Sequence, residues 1–140
     1  MNKLETARRC ADTMMENDRA SQALGIEVDI PEAGVAVATM TVRDDMLNGF
    51  DVAHGGLIFA LADTAFAFAC NAYDNQSVAA SAQVEFLRPA RGGDVLFARA
   101  GEDHRGRRNG YYSIEVRNQD DELVALFRGR SVATGSRLLK

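Results

Sequence analysis

One segment limits what this chain can become. From Gly55 to Tyr73 it reads Gly-Gly-Leu-Ile-Phe-Ala-Leu-Ala-Asp-Thr-Ala-Phe-Ala-Phe-Ala-Cys-Asn-Ala-Tyr, with Asp63 at its centre as the only charged side chain. The run is nearly long enough to cross a bilayer, but a carboxylate at mid-depth is costly in lipid, and Gly, Ala and Asn dilute the rest. Residues 57–70 are apolar around almost the whole circumference of a helix. A helix of that kind belongs in the middle of a core.

The flanking sequence says what builds that core. Residues 3–18 place Leu4, Ala7, Ala11, Met14 and Met15 at spacings of three and four, which predicts an amphipathic N-terminal helix. Residues 24–30 and 34–43 read as strands around a turn at Pro31-Glu32-Ala33-Gly34, and residues 44–53 as a loop. After the apolar helix come strand-like segments 77–88, ended by Pro89, then 94–104, 109–118 and 122–133. Turn signals at 90–94, 108–110 and 118–121 separate them and predict a β-meander of antiparallel neighbours. A long helix wrapped by a curved antiparallel sheet accounts for this order. In the α+β class that is the hotdog fold, expected here as a single domain over residues 1–140. The alternative is another α+β sandwich with the helix on one sheet face.

The balance of 16 basic against 20 acidic residues gives a net charge of −4. It argues against broad capture of nucleic acid or of an anionic membrane. Cys10 and Cys70 are well separated and form no CxxC pair, so they read as small apolar filler in a reducing compartment. No apolar h-region follows the charged N-terminus, so no secretory signal is expected and the location expected is cytoplasmic.

Asp63 is the focus of any chemistry. A buried carboxylate without a partner is expensive, so it either braces structure, through backbone groups or Thr64, or serves as a general base or nucleophile. His54-Gly55-Gly56 stands at the start of the same helix. The first N–H groups of a helix lack intrahelical partners, and glycine lets a ligand approach, so an acyl oxygen aimed there would meet an oxyanion hole. Taken alone, such a turn is also an ordinary helix entry. Asn48, in the preceding loop, is either a turn residue or an amide that holds a carbonyl or a water. His54 and Asp63 are nine residues apart. That is about 13–14 Å of rise and about 900° of rotation, so the two face opposite ways. They cannot serve one carbonyl from the same helix. A shared site therefore needs at least a homodimer, with Asp63 of one chain opposite the glycine turn of the other.

The run Met46-Leu47-Asn48-Gly49, His54-Gly55-Gly56, residues 61–67 around Asp63, Phe86-Leu87-Arg88-Pro89-Ala90 and Gly93-Asp94 resembles, in order and spacing, the phenylacetate-degradation thioesterase group of hotdog proteins. The likeness spans roughly residues 10–133. It implies acyl-CoA hydrolysis at a dimer interface, with Asp63 as the catalytic carboxylate, Asn48 and His54 as site residues, and Gly55 N–H polarising the thioester carbonyl. It also implies an aryl- or short- to medium-chain acyl group, ring-hydroxylated phenylacetyl-CoA among the candidates, and a homotetramer of two dimers. A thioester is already activated, so no GxSxG elbow is needed, and none is present. Coenzyme A belongs to the substrate and no separate cofactor is expected.

Gly56 and Thr64 are expected to assist binding. Phe59 and Phe66 share the Asp63 face at i−4 and i+3 and are the expected acyl-pocket aromatics, although most aromatics at helical spacing are core. Arg88 and Arg91, or Arg105, Arg107 and Arg108, are candidate partners for the phosphates, against the ordinary alternative of solvated surface charges. A hotdog dehydratase or hydratase, or a non-catalytic acyl-CoA-binding module, are the competing functions.

Overall fold

The computed structural model describes residues 1–139. Helix α1 (Lys3–Asn17) is capped by Asn2, whose side chain accepts the Glu5 N–H at 2.8 Å. It buries Ala7, Cys10 and Ala11 against the sheet, which is the predicted amphipathic face. A short helix α2 (Arg19–Ala23), not anticipated from the sequence, follows. Asp18 starts it, taking the Ser21 N–H at 3.0 Å and the Ser21 hydroxyl at 2.7 Å. Strand β1 (Glu27–Glu32) consequently begins later than the expected residue 24.

Strand β2 (Val35–Thr41) leads through a 3-10 turn at Asp44–Met46 and a loop to helix α3 (Gly55–Cys70). The predicted helix ran to Tyr73. It stops earlier because the Asn71 amide donates to Ala67 O at 2.9 Å and to Ser77 O at 3.0 Å. Asn71 thereby ends the helix and anchors β3 (Ser77–Phe86). Strands β4 (Val95–Arg105), β5 (Asn109–Arg117) and β6 (Leu123–Ala133) complete one antiparallel sheet in the order β1-β2-β4-β5-β6-β3. Helix α3 packs across β2, β4 and β5, which is the expected hotdog arrangement.

Inward positions alternate as strands require: Ala36, Ala38 and Met40 on β2, Leu96, Ala98 and Ala100 on β4, Tyr112, Ile114 and Val116 on β5. The alanines keep the helix close to the sheet. At Gly129 of β6 an added Cβ would lie 2.8 Å from the Phe66 ring, so only glycine leaves that ring its place.

The expected meander is corrected in one respect. β3 does not pair with β4; it pairs with β6, while β4 inserts between β2 and β5. The turn at 90–94 is therefore the end of a crossover rather than a hairpin. It docks on the far side of the fold: Ala53 N–H donates to Ala90 O at 2.7 Å, Gly93 N–H to Val42 O at 2.8 Å, and Val42 N–H to Asp94 O at 2.8 Å.

Two features stay open. β3 is a ten-residue edge strand, exposed on both faces along most of its length. Along α3, Gly56, Ala60, Asp63 and Ala67 form a stripe that the sheet leaves partly uncovered. The helix is thus less enclosed by its own chain than its composition predicts. No helix among the described residues is long and apolar enough to cross a membrane.

Candidate active site

Asp63 sits midway along α3 and is half-buried. Burial raises its carboxyl above the ordinary range, and no cation or donor among the described residues offsets that cost. It lines a mostly apolar cleft with Met14, Ala67, Cys70, Val78, Ala79 and Leu138. Cys70, a neighbour in this cleft, is buried, and burial pushes its thiol up to about 12, so it stays protonated at neutral pH.

The other end of the helix is organised by His54. Its Nδ1 accepts the Gly56 N–H at 3.0 Å, so the imidazole caps the helix and, when neutral, carries its proton on Nε2. This corrects the role expected for Gly56: its N–H is already taken. Gly55 N–H has no acceptor among the described residues and is the donor left for a ligand. A Cβ on Gly55 would lie 3.3 Å from the Phe86 ring, so the open space over this glycine is partly filled by the end of β3.

Asn48 holds the loop that precedes the helix. Its Oδ1 accepts the Phe50 N–H at 2.9 Å and the Val52 N–H at 3.4 Å, and its own N–H donates to Val52 O at 2.8 Å. The turn role is thus real, and the Nδ2 group is left without an acceptor among the described residues. His54 N–H donates to Met46 O at 2.9 Å, which fixes this loop to the helix start. Asn48, His54 and Gly55 therefore lie together. Asp63 lies eight residues beyond Gly55, about 12 Å further along the axis.

Several expected ligand contacts are redirected. Thr64 donates to Ala60 O at 2.7 Å and meets the Ser21 hydroxyl at 3.4 Å, which ties α3 to α2 and turns it away from the cleft. Phe66 is 1% exposed, with its ring centre 5.6 Å from Tyr112 and 5.9 Å from Phe127. It forms the floor of the Asp63 cleft from inside the core rather than a free pocket wall. Phe59 packs edge-on against Phe127 at 5.2 Å and does not line that cleft. Sharing a helical face with Asp63 put both rings toward β6 because the sheet curls around that side.

Among the arginines, Arg88 pairs with Glu122 at 2.8 Å, and Arg105 lies 3.7 Å above the Tyr73 ring. Arg91 is exposed at the crossover turn, next to Ala90, whose carbonyl accepts the Ala53 N–H. Arg107 and Arg108 line a surface depression at the opposite end of the sheet, with Asn75. The cleft walls Met14, Val78, Ala79 and Leu138 were not foreseen. Met14 was visible only as a helix-face residue, and Leu138 gave no signal, because nothing local ties a C-terminal leucine to Asp63.

Comparison with known proteins places this geometry. A family model described as the thioesterase superfamily matches residues 50–125. The acyl-coenzyme A thioesterase PaaI of Escherichia coli K12 is 49% identical over 125 residues, which is 89% of this chain and 89% of that protein. The solved structure of E. coli PaaI, from the phenylacetic acid degradation operon, matches with a TM-score of 0.95 and 46% identity over 97% of this chain and 99% of its own. A Streptococcus mutans protein solved with bound acetyl-CoA matches with a TM-score of 0.76 and 28% identity, over 80% of this chain and 90% of its own. The chain belongs to the thioesterase superfamily and is a thioester hydrolase of the hotdog fold.

Proposed function

We propose that the protein hydrolyses acyl-CoA thioesters at a site shared by two subunits, with Asp63 of one chain and the Gly55 N–H of the other. The observation that carries this reading is the half-buried Asp63 carboxylate, without a partner among the described residues in a mostly apolar cleft and held by its own helix away from its own oxyanion donor. The acyl-CoA thioesterase activity of the E. coli relative and the acetyl-CoA bound to the S. mutans protein support it.

In this reading Asp63 acts as general base. It takes a proton from water as the water oxygen bonds to the thioester carbon. Charge then develops on the carbonyl oxygen, where the Gly55 N–H and the dipole of α3 stabilise it. The C–S bond breaks, the CoA thiolate leaves, and the proton held by Asp63 returns to it. One water is consumed and one carboxylic acid and one thiol are formed. The raised carboxyl favours a base over a spectator charge, because a base works best near the ambient pH. Asn48 Nδ2 orients the water or the carbonyl, and His54 holds the helix start. Coenzyme A enters as substrate, and the reaction as written draws on no cofactor.

The second subunit is the natural occupant of the two open features. A ten-residue bare edge strand invites pairing with another chain. The uncovered stripe of α3 lies on the Asp63 side and would be covered by the same contact. Phe97, Tyr111 and Leu126, exposed on the outer sheet face, suit a further pairing of dimers into a tetramer. An acyl group of aryl-acetyl or short to medium size fits the likeness to a phenylacetate-operon protein. Two unpaired buried thiols suit a cytoplasmic setting.

Thiol release measured across aromatic, short-chain and long-chain acyl-CoAs tests the reading. Sustained release with at least one of them is expected. Tight binding of all of them without release would leave a binding module. Formation of an enoyl product from a β-hydroxyacyl-CoA, with no thiol release, would leave a dehydratase.

A further inference from the structure

The cleft around Asp63 is walled by both ends of the chain. Met14 comes from α1, and Leu138 from the segment that follows β6. That segment has no regular secondary structure, yet it is held at several points. Thr134 N–H donates to Gln76 O at 2.9 Å, and Gln76 N–H to Ser136 O at 2.8 Å. The main hold is a single carboxylate. Asp74 Oδ1 accepts the Leu138 N–H at 2.9 Å and the Leu139 N–H at 2.7 Å, while Oδ2 accepts Arg137 Nε at 2.8 Å and Nη2 at 2.6 Å.

Asp74 is itself a specialised residue. Its φ is +56°, in the left-handed region that aspartate adopts more readily than most residues, and this turn aims its carboxylate at residues 137–139. Its side chain is only 13% exposed, whereas Arg137 is 75% exposed. The clamp therefore shields a carboxylate more than it buries a cation. The Leu139 N–H, with the Arg137 guanidinium and the Leu138 N–H, holds the Asp74 carboxyl below the ordinary range, so the clamp is charged at neutral pH. A surface tail with no task would need none of this.

We infer that the strap 134–139, pinned by Asp74, places Leu138 as a wall of the acyl pocket and sets the size of the acyl group the site accepts. The inference rests on the reading of Asp63 as the reacting carboxylate, since it is the Asp63 cleft that Leu138 closes. Phe66 floors the cleft, and Ala67, Cys70, Val78 and Ala79 line it with apolar groups. Asn71, Gln76 and Ser77 add a polar margin, and Met14 and Leu138 are its long flexible apolar walls. A compact apolar acyl group fits between them, and a longer straight chain meets the leucine. Leu138 is a specificity residue in this account, and Asp74 a positioning residue that acts through it.

The test is the ratio of kcat/KM for octanoyl-CoA to that for butyryl-CoA, measured by thiol release with the full-length protein. Leu138→Ala should raise the ratio at least about ten-fold, as an apolar pocket deals in steps of that size per methylene or two. Leu138→Trp should lower it. Asp74→Ala should raise it like Leu138→Ala, while Asp74→Asn, which keeps an acceptor for the Leu138 and Leu139 N–H groups, should stay near the wild-type ratio. A ratio within two-fold of wild type in both Leu138 variants overturns the inference. Asp63→Asn, assayed alongside, reads the chemistry separately: it abolishes release for both chain lengths if Asp63 is the base, whatever the Leu138 ratio does.

Discussion

Asp63 and Gly55 lie on one helix, eight residues apart, with about 12 Å of rise between them. A water activated by the first cannot attack a carbonyl held by the second unless the two come from different chains. The mixed-subunit experiment follows directly. Equal amounts of Asp63→Asn and Asn48→Ala subunits, each inactive alone, are refolded together. Half the dimers then combine one of each, and each of those has one intact site, so about a quarter of wild-type activity should return. Assay of thiol release before and after mixing checks it, and no recovery in confirmed heterodimers would place both residues in one chain's site.

The Asp63 carboxylate, which has no partner among the described residues, also predicts a stability effect. Burial raises the folded-state pKa of Asp63 above its ordinary value of 3.8. The fold therefore favours the protonated form. Its contribution is fully present below pH 3.8, is lost as pH rises through the raised value, and leaves a desolvated charge at neutral pH. Asp63→Asn should accordingly melt at a higher temperature than wild type at pH 7, with the gap closing as the pH is lowered toward 4. A lower melting temperature at pH 7 would mean that the carboxylate is paired in the assembled protein. The same raised pKa should show as an acid limb in kcat/KM above the usual carboxylate range.

His54 is predicted to act through the helix rather than on the substrate. Its Nδ1 takes the Gly56 N–H, so His54→Ala should cost about 1 kcal/mol, as loss of an N-cap does. That corresponds to a fall of about 3–5 °C in Tm for a chain of this size. His54→Asn, whose side-chain oxygen can accept the same bond, should keep the stability and most of the turnover. Loss of turnover with full stability in His54→Asn would return the imidazole to the chemistry.

The parts of the fold that were legible in the sequence are those decided locally. The period of residues 3–17, the unbroken apolar run of α3 and the turn at 118–121 each follow from a few neighbouring residues, whereas the turn expected at 108–110 falls at residues 106–108, with Asn109 and Gly110 already in β5. The pairing of β3 with β6 was not legible. Alternation shows which face of a strand is buried but not which strand lies beside it, and the crossover is fixed by Ala53, Val42 and Gly93 across the fold. At the site, Asp63 stood out as a charge among apolar residues, and the open stripe around it is where the helix was read as more enclosed than it is. Helical spacing placed Phe59 and Phe66 beside Asp63, yet Phe66 lies in the core and Phe59 packs against it at Phe127. Leu138 lies 75 residues from Asp63, and only the Asp74 clamp reveals that the two share a cleft.

In the proposed mechanism Asp63 is the group that activates the attacking water. Its most direct test is steady-state thiol release by Asp63→Asn, with the wild-type oligomer and a cooperative melt confirmed first. A fall in kcat of about 10²–10⁴-fold is expected, the usual contribution of a positioned general base. Turnover of the folded variant within a few-fold of wild type would contradict it.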